Sequence, residues 1–266
     1  MLAGKGKVNA QQVAHSVIQR IYDYMSRFNI TVDDACNFLA GLEHQSVDLL
    51  ITDPAYESLE KHRAKGTTTR LKQSEGSSNE WFPIFPNSRY EEFFARCWEV
   101  MKEDTHLYVF CDQETNYVIK PIAEAAGFTF WKPVIWDKVS IGMGYHYRAR
   151  YEMILFFEKG KRNLNDLSIP DIITAKRVQG GYPTEKPVEV CDVLVAQSSE
   201  PGEVIVDPFN GSGATGVSAV KAGRFYLGCD VKKEAVEKSV ERLREAGGVH
   251  DPDFRPLSAD PQLGLF

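Results

Sequence analysis

The sequence predicts an α/β fold built on a mixed, mostly parallel sheet with an antiparallel hairpin near one edge. Short apolar runs alternate with helix-like stretches along most of the 266 residues. The apolar runs end at acidic or glycine-rich turns, as buried parallel strands do. One pair of runs follows without a helical crossover between them, which requires the two strands to be antiparallel.

Taken in order, residues 12 to 28 place Val13, Val17, Ile18, Ile21, Tyr22, Met25 and Phe28 at three- and four-residue spacings, the pattern of an amphipathic helix. Residues 1–29 are therefore expected to form an N-terminal helical extension, and 30–246 the catalytic body. VDLLIT (47–52) is short and apolar and stops at Asp53-Pro54, so it reads as a buried strand. Residues 57–88 are polar and lack periodicity. A loop that long in a compact domain is expected to be functional and mobile.

Regular structure resumes with a helix over 90–101, a strand at 106–110, a helix over 114–126 and a strand at 128–136. YEMILFFE (151–158) follows as the antiparallel partner of that last strand. A polar stretch, 159–182, leads to a helix over 187–197 and the strand EVIVDPF (203–209). A helix over 214–222, the strand RFYLGCD (224–230) and a charged helix to 246 complete the body. Gly247 to Phe266 contains prolines and little periodicity, and is expected to be an extended, poorly packed tail.

A formal net charge of −6 excludes a protein that coats nucleic acid by charge alone. Basic residues are nonetheless grouped: Lys61, Arg63, Lys65, Arg70 and Lys72 in one stretch, Lys159, Lys161 and Arg162 in another, with Arg148, Arg150 and Arg177 nearby. These are candidate DNA contacts, with surface or phosphate roles favoured over base reading for each arginine. Cys36, Cys97, Cys111, Cys191 and Cys229 form no CxxC pair, and neither they nor the histidines have metal-ligand spacing. A reducing, cytoplasmic setting without metal or membrane span is expected.

Two motifs carry chemistry. EVIVDP runs into Phe209-Asn210-Gly211-Ser212-Gly213-Ala214-Thr215-Gly216 and then a helix, and Asp230 closes the next strand. Glycines permit a sharp turn, the new helix offers free N–H groups, and an acid at the second strand end suits a ribose. This describes a nucleoside-bearing cofactor, NAD or S-adenosylmethionine. The second motif, Asp53-Pro54-Ala55-Tyr56, puts a carboxylate, a constrained backbone and an aromatic ring at one strand end. A flat base bearing an amino group would stack on Tyr56 while Asp53 and a main-chain carbonyl accept its hydrogens.

Over residues 30–246 the chain resembles amino-group DNA methyltransferases of the permuted β class, whose catalytic motif precedes the cofactor motif. Asp53-Pro54-Ala55-Tyr56 is similar to the family's D-P-P-Y, Pro183 to Pro187 to its P-T-E-K-P, and Asp207 to Gly213 to its D-P-F-x-G-S-G. The resemblance implies a Rossmann-like S-adenosylmethionine-dependent methyltransferase fold with circularly permuted motif order. It also implies methyl transfer from S-adenosyl-L-methionine to N6 of a flipped-out adenine in DNA, because aspartate at the first motif position is the family's usual choice for adenine. Asp53, Pro54 and Tyr56 would be catalytic. Asp34, Ala35, Thr184, Lys186, Asp207, Phe209, Asn210, Gly211, Ser212, Gly213 and Asp230 would bind the cofactor, with Asp34 at its adenine.

Ala55 stands in place of the second proline, and 159–182 is a short candidate target-recognition segment. N4-cytosine methylation is the alternative reading, with a nicotinamide oxidoreductase or a non-catalytic DNA-binding protein further off. Relatives imply a homodimer. The terminal Gln262-Leu263-Gly264-Leu265-Phe266 is similar to the peptide with which bacterial proteins dock on the DNA sliding clamp, which implies clamp contacts by Gln262, Leu263, Leu265 and Phe266.

Overall fold

A computed structural model describes residues 26–58, 83–142, 146–180 and 184–256. Its elements are β1 (Arg27–Val32), α1 (Ala35–Ala40), β2 (Val47–Thr52), α2 (Tyr90–Val100), β3 (Met101–Cys111), α3 (Asn116–Ala125), β4 (Thr129–Asp137) and β5 (Tyr151–Lys159). They continue with β6 (Ile172–Thr174), α4 (Val188–Ser198), β7 (Val204–Asp207), α5 (Ala214–Lys221), β8 (Phe225–Asp230), α6 (Lys233–Glu245) and β9 (Val249–His250). The sheet order is β6-β4-β5-β3-β2-β7-β8-β1-β9. Neighbours are parallel except around β5, which runs antiparallel to both β3 and β4.

The centre of the sheet explains its most apolar strand. All six residues of β2 are buried, because helices cover both faces. On one face α1, α2 and α3 pack through Leu39, Phe93, Phe94, Cys97 and Ile119. On the other, α4, α5 and α6 supply Val190, Leu194, Val217, Val220 and Leu243. In α6 the buried residues Ala235, Val236, Ser239 and Leu243 recur at helical spacing beneath a charged outer face. One polar residue inside β2 is also explained: Asp48 accepts from Lys102 Nζ at 2.7 Å and from the Val204 N–H at 2.8 Å, tying β2 to both flanking strands.

The strand following Ser26 corrects the expected helix boundary. Arg27 and Phe28 belong to β1, which pairs with β8 and β9, and residues 1–25 lie outside those described. The tail also departs from expectation as far as it is described. Val249–His250 adds an edge strand, Asn29 Nδ2 donates to Pro252 O at 2.9 Å, and Phe254 is buried against Phe225 with ring centroids 5.3 Å apart. The Arg27 guanidinium lies 5.0 Å from the Phe254 ring and 5.2 Å from that of Phe225. Gln262, Leu263, Leu265 and Phe266 lie outside the described residues.

The ends of the 57–88 excursion are stitched together. Phe85 N–H donates to Ala55 O at 2.9 Å, Asn87 N–H donates to Glu57 Oε1 at 2.7 Å, and Ser58 Oγ donates to Asp112. Phe85 itself is buried against Tyr90, Phe93 and Phe209. Within residues 83–88 Phe85 alone is buried, while Pro83 and Ser88 at the two ends are exposed. The basic residues Lys61, Arg63, Lys65, Arg70 and Lys72 lie outside the described residues.

The packed tail makes a measurable demand on stability. Phe254→Ala should lower the unfolding free energy by about 3 kcal/mol, the bottom of the range for a buried aromatic because Phe254 sits at the periphery. Urea unfolding monitored by circular dichroism measures this. A midpoint unchanged from wild type would mean the segment contributes no packing.

Candidate active site

Parallel strands place their carboxyl ends on one edge of the sheet, and the connections from β2 and β7 leave toward opposite sides. A cavity of about 810 Å³ opens along that edge. It is lined by Asp34 after β1, Asp53 after β2, Asp112 after β3, Asp207 at the end of β7 and Asp230 at the end of β8. Because β5 is reversed, its first residues reach the same edge and bring in Glu152. All the expected catalytic and cofactor residues line this cavity except Gly213.

The glycines of the turn after β7 have different tasks. Gly211, at φ +48°, lines the cavity, and a Cβ there would meet nothing closer than Phe209 O at 3.9 Å. Gly213, at φ +79°, faces the body, where a Cβ would fall 2.8 Å from Ser239 Cβ. A Cβ on Gly216 would lie 2.7 Å from the Tyr226 ring. These last two glycines let α5 settle against α6 and β8, while Gly211 presents open backbone to a ligand. Asn210 is a structural member of the turn: its amide donates to Ser239 Oγ at 2.8 Å and accepts from Tyr226 OH at 2.8 Å.

Asp230 Oδ2 accepts the Gly211 N–H at 3.0 Å and Oδ1 the Lys232 N–H at 2.8 Å, leaving one acceptor position on each oxygen. Burial raises its pKa, partly offset by those two bonds. At the end of β1, Asp34 caps α1 through the Cys36 N–H at 3.0 Å and takes a two-pronged ion pair from Arg89 at 2.6 and 2.7 Å. Arg89 holds the Asp34 carboxyl below the usual carboxylate range. Arg89 also lies over the Phe85 ring, 5.2 Å from its centroid. Sequence reasoning missed this arginine, which sits 55 residues from its partner.

At the Asp53–Tyr56 motif, Tyr56 OH donates to Asp53 Oδ1 at 2.8 Å, and Lys186 Nζ donates to Asp53 Oδ2. Lys186 also pairs with Glu152 Oε1 at 3.0 Å, and Lys138 with Glu152 Oε2 at 2.6 Å. Lys186, expected at the cofactor, borders the cavity and spends its ammonium on Asp53 and Glu152. Burial raises the Asp53 pKa against the pull of Lys186, whereas at Glu152 the two lysines outweigh burial and lower it. Thr184, φ +62°, borders the cavity just before.

This arrangement of a nucleoside-suited turn and an amino-suited carboxylate in one cavity has a counterpart among known proteins. A family model described as DNA methylase, and named for the N6 and N4 enzymes, matches residues 47–241. The chain belongs to the DNA methylase family. It is a DNA methyltransferase that takes its methyl group from S-adenosylmethionine.

Type II methyltransferase M2.DpnII of Streptococcus pneumoniae is 25% identical over 266 residues, covering 89% of this chain and 97% of its own. The DNA adenine methyltransferase YhdJ of Escherichia coli K12 is 24% identical over 249 residues, with 79% and 80% covered. The structure of the M1.HpyAVI–SAM complex superposes with a TM-score of 0.61 at 21% identity, covering 81% of this chain and 100% of that one, a likeness of fold.

The methyltransferase's cavity fits the cofactor. Its volume lies within the range of small-molecule sites, Asp230 keeps free acceptor positions beside the open backbone of Gly211, and Phe209 and Phe85 supply an apolar wall. Helix α5, which begins beside them, has no side-chain cap on its N-terminal N–H groups. Among the described residues no cluster is suited to a metal, and no helix is long and apolar enough to cross a membrane.

The candidate target-recognition segment divides. Lys159 is buried, with Nζ donating to the carbonyls of Trp98 and Met101 at 2.7 Å, and Arg162 pairs with Glu203 at 3.2 Å. Asn165 Nδ2 binds the carbonyls of Ala196 and Ser199 at the far end of α4. The chain returns to the cavity only after β6, where Arg177 and Val178 border it. Arg177 and Arg148 are exposed, and Arg150 donates through Nε and Nη2 to the two carboxylate oxygens of Asp137, each at 2.7 Å.

Asp207 supplies a pH test of the site. Burial pushes its carboxyl up to about 7, against bonds from the Phe209 N–H and Thr215. Between the ordinary carboxylate value and about 7 the folded protein holds a proton that the unfolded chain has released, so stability falls as pH rises through that window. Asp207→Asn should remove this decline. Urea midpoints of both proteins from about pH 4 to about pH 8 check it, and parallel curves would exclude a buried, proton-bearing Asp207.

Proposed function

We propose that this methyltransferase modifies N6 of adenine in a flipped-out nucleotide, and that it belongs to the permuted β class. The observation that carries the reading is the Asp53-Pro54-Tyr56 constellation, set at the end of the central strand and bordering the same cavity as Gly211 and Asp230. The order of these motifs along the chain and the adenine specificity in the name of YhdJ support it.

An amino group inside a duplex is out of reach of such a recessed site, so the target must leave the stack. Tyr56 offers a ring at the cavity wall, while its hydroxyl steadies Asp53. Asp53 and the Pro54 carbonyl accept the two amino hydrogens, which draws the nitrogen lone pair out of conjugation with the ring. Asp230, Gly211, Phe209 and Asp34 would hold S-adenosylmethionine, which would supply an activated sulfonium methyl. Positive charge then developing on the amino nitrogen faces a carboxylate fixed in advance, and Asp53 is placed to take the proton that the methylated nitrogen sheds.

Arg148 and Arg177, exposed at or near the cavity mouth, are the proposed duplex contacts, together with Lys61, Arg63, Lys65, Arg70 and Lys72; Arg150, bound to Asp137, would need to exchange that partner. A homodimer and clamp docking through Gln262, Leu263, Leu265 and Phe266 complete the proposal.

Asp53→Ala should lower turnover by about 10²- to 10⁴-fold while the fold is kept. Digestion of the methylated DNA and mass spectrometry of its nucleosides should yield N6-methyladenine. N4-methylcytosine instead would overturn the adenine reading and keep the enzyme class. Removing residues 262–266 should abolish binding to a purified sliding clamp and leave methylation of short duplexes unchanged; clamp binding that survives the deletion defeats that part.

A further inference from the structure

Four charged groups form a chain along one wall of the cavity: Lys138, Glu152, Lys186 and Asp53. They come from the end of β4, the start of β5, the segment before α4 and the end of β2, so only the assembled sheet brings them together. Lys186 is shared, donating to Asp53 Oδ2 and lying 3.0 Å from Glu152 Oε1, with Nζ 5.2 Å from the centroid of the Phe110 ring. Glu152 is shared in turn, because its other oxygen receives Lys138 at 2.6 Å. The side chains of Lys186, Glu152 and Lys138 are only 13%, 15% and 16% exposed.

Remove Lys186 from this chain and two carboxylates, Asp53 and Glu152, share a poorly solvated wall. Like charges so placed are relieved when one takes a proton. A protonated Asp53 would turn one of its oxygens from acceptor to donor, and the target amino group would lose its partner. A lysine held by Asp53 alone has the opposite fault, since it occupies acceptor positions that the amino group needs. Glu152 draws part of the ammonium away.

The other titratable groups facing Asp53 are Tyr56 on its own loop, Cys111 at the end of β3, Tyr90 on α2 and Asp207 on β7. None of these groups can carry positive charge, since phenol, thiol and carboxyl ionise only to anions, and burial keeps the two phenols and the thiol neutral.

We infer that Lys186 is a positioning residue that keeps the catalytic carboxylate ionised and oriented, and that Glu152 sets how much of Lys186 remains on Asp53. The inference rests on the proposed role of Asp53 as acceptor of the amino hydrogens.

The test has two readouts. One is the titration of the Asp53 carboxyl by carbon-13 NMR in the protein without cofactor or DNA, its signal assigned by loss in Asp53→Asn. The other is the acid limb of kcat/KM against pH on duplex DNA. In Lys186→Met both should move to higher pH, with about tenfold activity lost on the acid limb for each pH unit moved. Lys186→Arg should restore both toward wild type. Glu152→Gln, which removes a negative charge without changing shape, should move both to lower pH. A purely structural role lowers activity at every pH without opposite displacements.

A folded Lys186→Met protein with an unmoved Asp53 titration, or a Glu152→Gln protein that shifts in the same direction as Lys186→Met, overturns the inference. If Lys186→Met does not fold, the direction of the Glu152→Gln shift still decides. Activity retained by Asp53→Ala would instead overturn the assigned role of Asp53, while the NMR titration continues to report the Lys186 contact on its own.

Discussion

Two parallel strands, β2 and β7, lie side by side at the centre of the sheet, and the chain leaves them in opposite directions. That divergence opens a crevice above their carboxyl ends that no crossover helix covers. A ligand site at this place is a consequence of topology before any side chain is specified. The sequence then lines the crevice with carboxylates, one at the end of each central strand, and burial raises the pKa of Asp53, Asp207 and Asp230. Each is met by a different compensation: Lys186 at Asp53, the Phe209 N–H and Thr215 at Asp207, backbone N–H groups at Asp230.

The reversed strand β5 matters because it breaks the rule that only carboxyl ends contribute to the crevice. An antiparallel strand inserted between β3 and β4 presents its beginning, and Glu152 arrives by that route. The pairing of Glu152 with Lys138 just after β4 and with Lys186 before α4 joins the two halves of the chain, the one carrying Asp53 to Tyr56 and the one carrying the glycine turn.

Much of this was legible in the sequence. VDLLIT and EVIVDP announce central strands by being apolar without alternation, and the acids that end them announce the site. RFNITV was read otherwise, because its first residues continue a helical spacing and its polar Asn29 and Thr31 dilute the strand signal. Residues 249–250 are too few to carry any pattern, and only pairing with β1 makes them a strand. Arg89 and Glu152 were illegible for another reason. Arg89 sits in the short turn just ahead of α2 and Glu152 in an easily read strand, yet the role of each depends on a partner far along the chain, and on strand direction in the case of Glu152. Lys186 was recognised as part of a motif, but its contacts with Asp53 and Glu152 were not, since spacing along a loop does not say which wall of a crevice a long side chain will reach.

The stitched base of the excursion between Ser58 and Pro83 separates two concerns that many enzymes leave entangled. The bonds from Phe85 to Ala55 and from Asn87 to Glu57 close the loop immediately beside the catalytic motif, so the entropy of whatever chain hangs beyond them grows only with the logarithm of its length. Asp53 and Tyr56 are held from their own side of that neck, by each other and by Lys186. The neck is in effect a buffer, so that the length of chain between its two ends weighs little on the geometry of Asp53 and Tyr56.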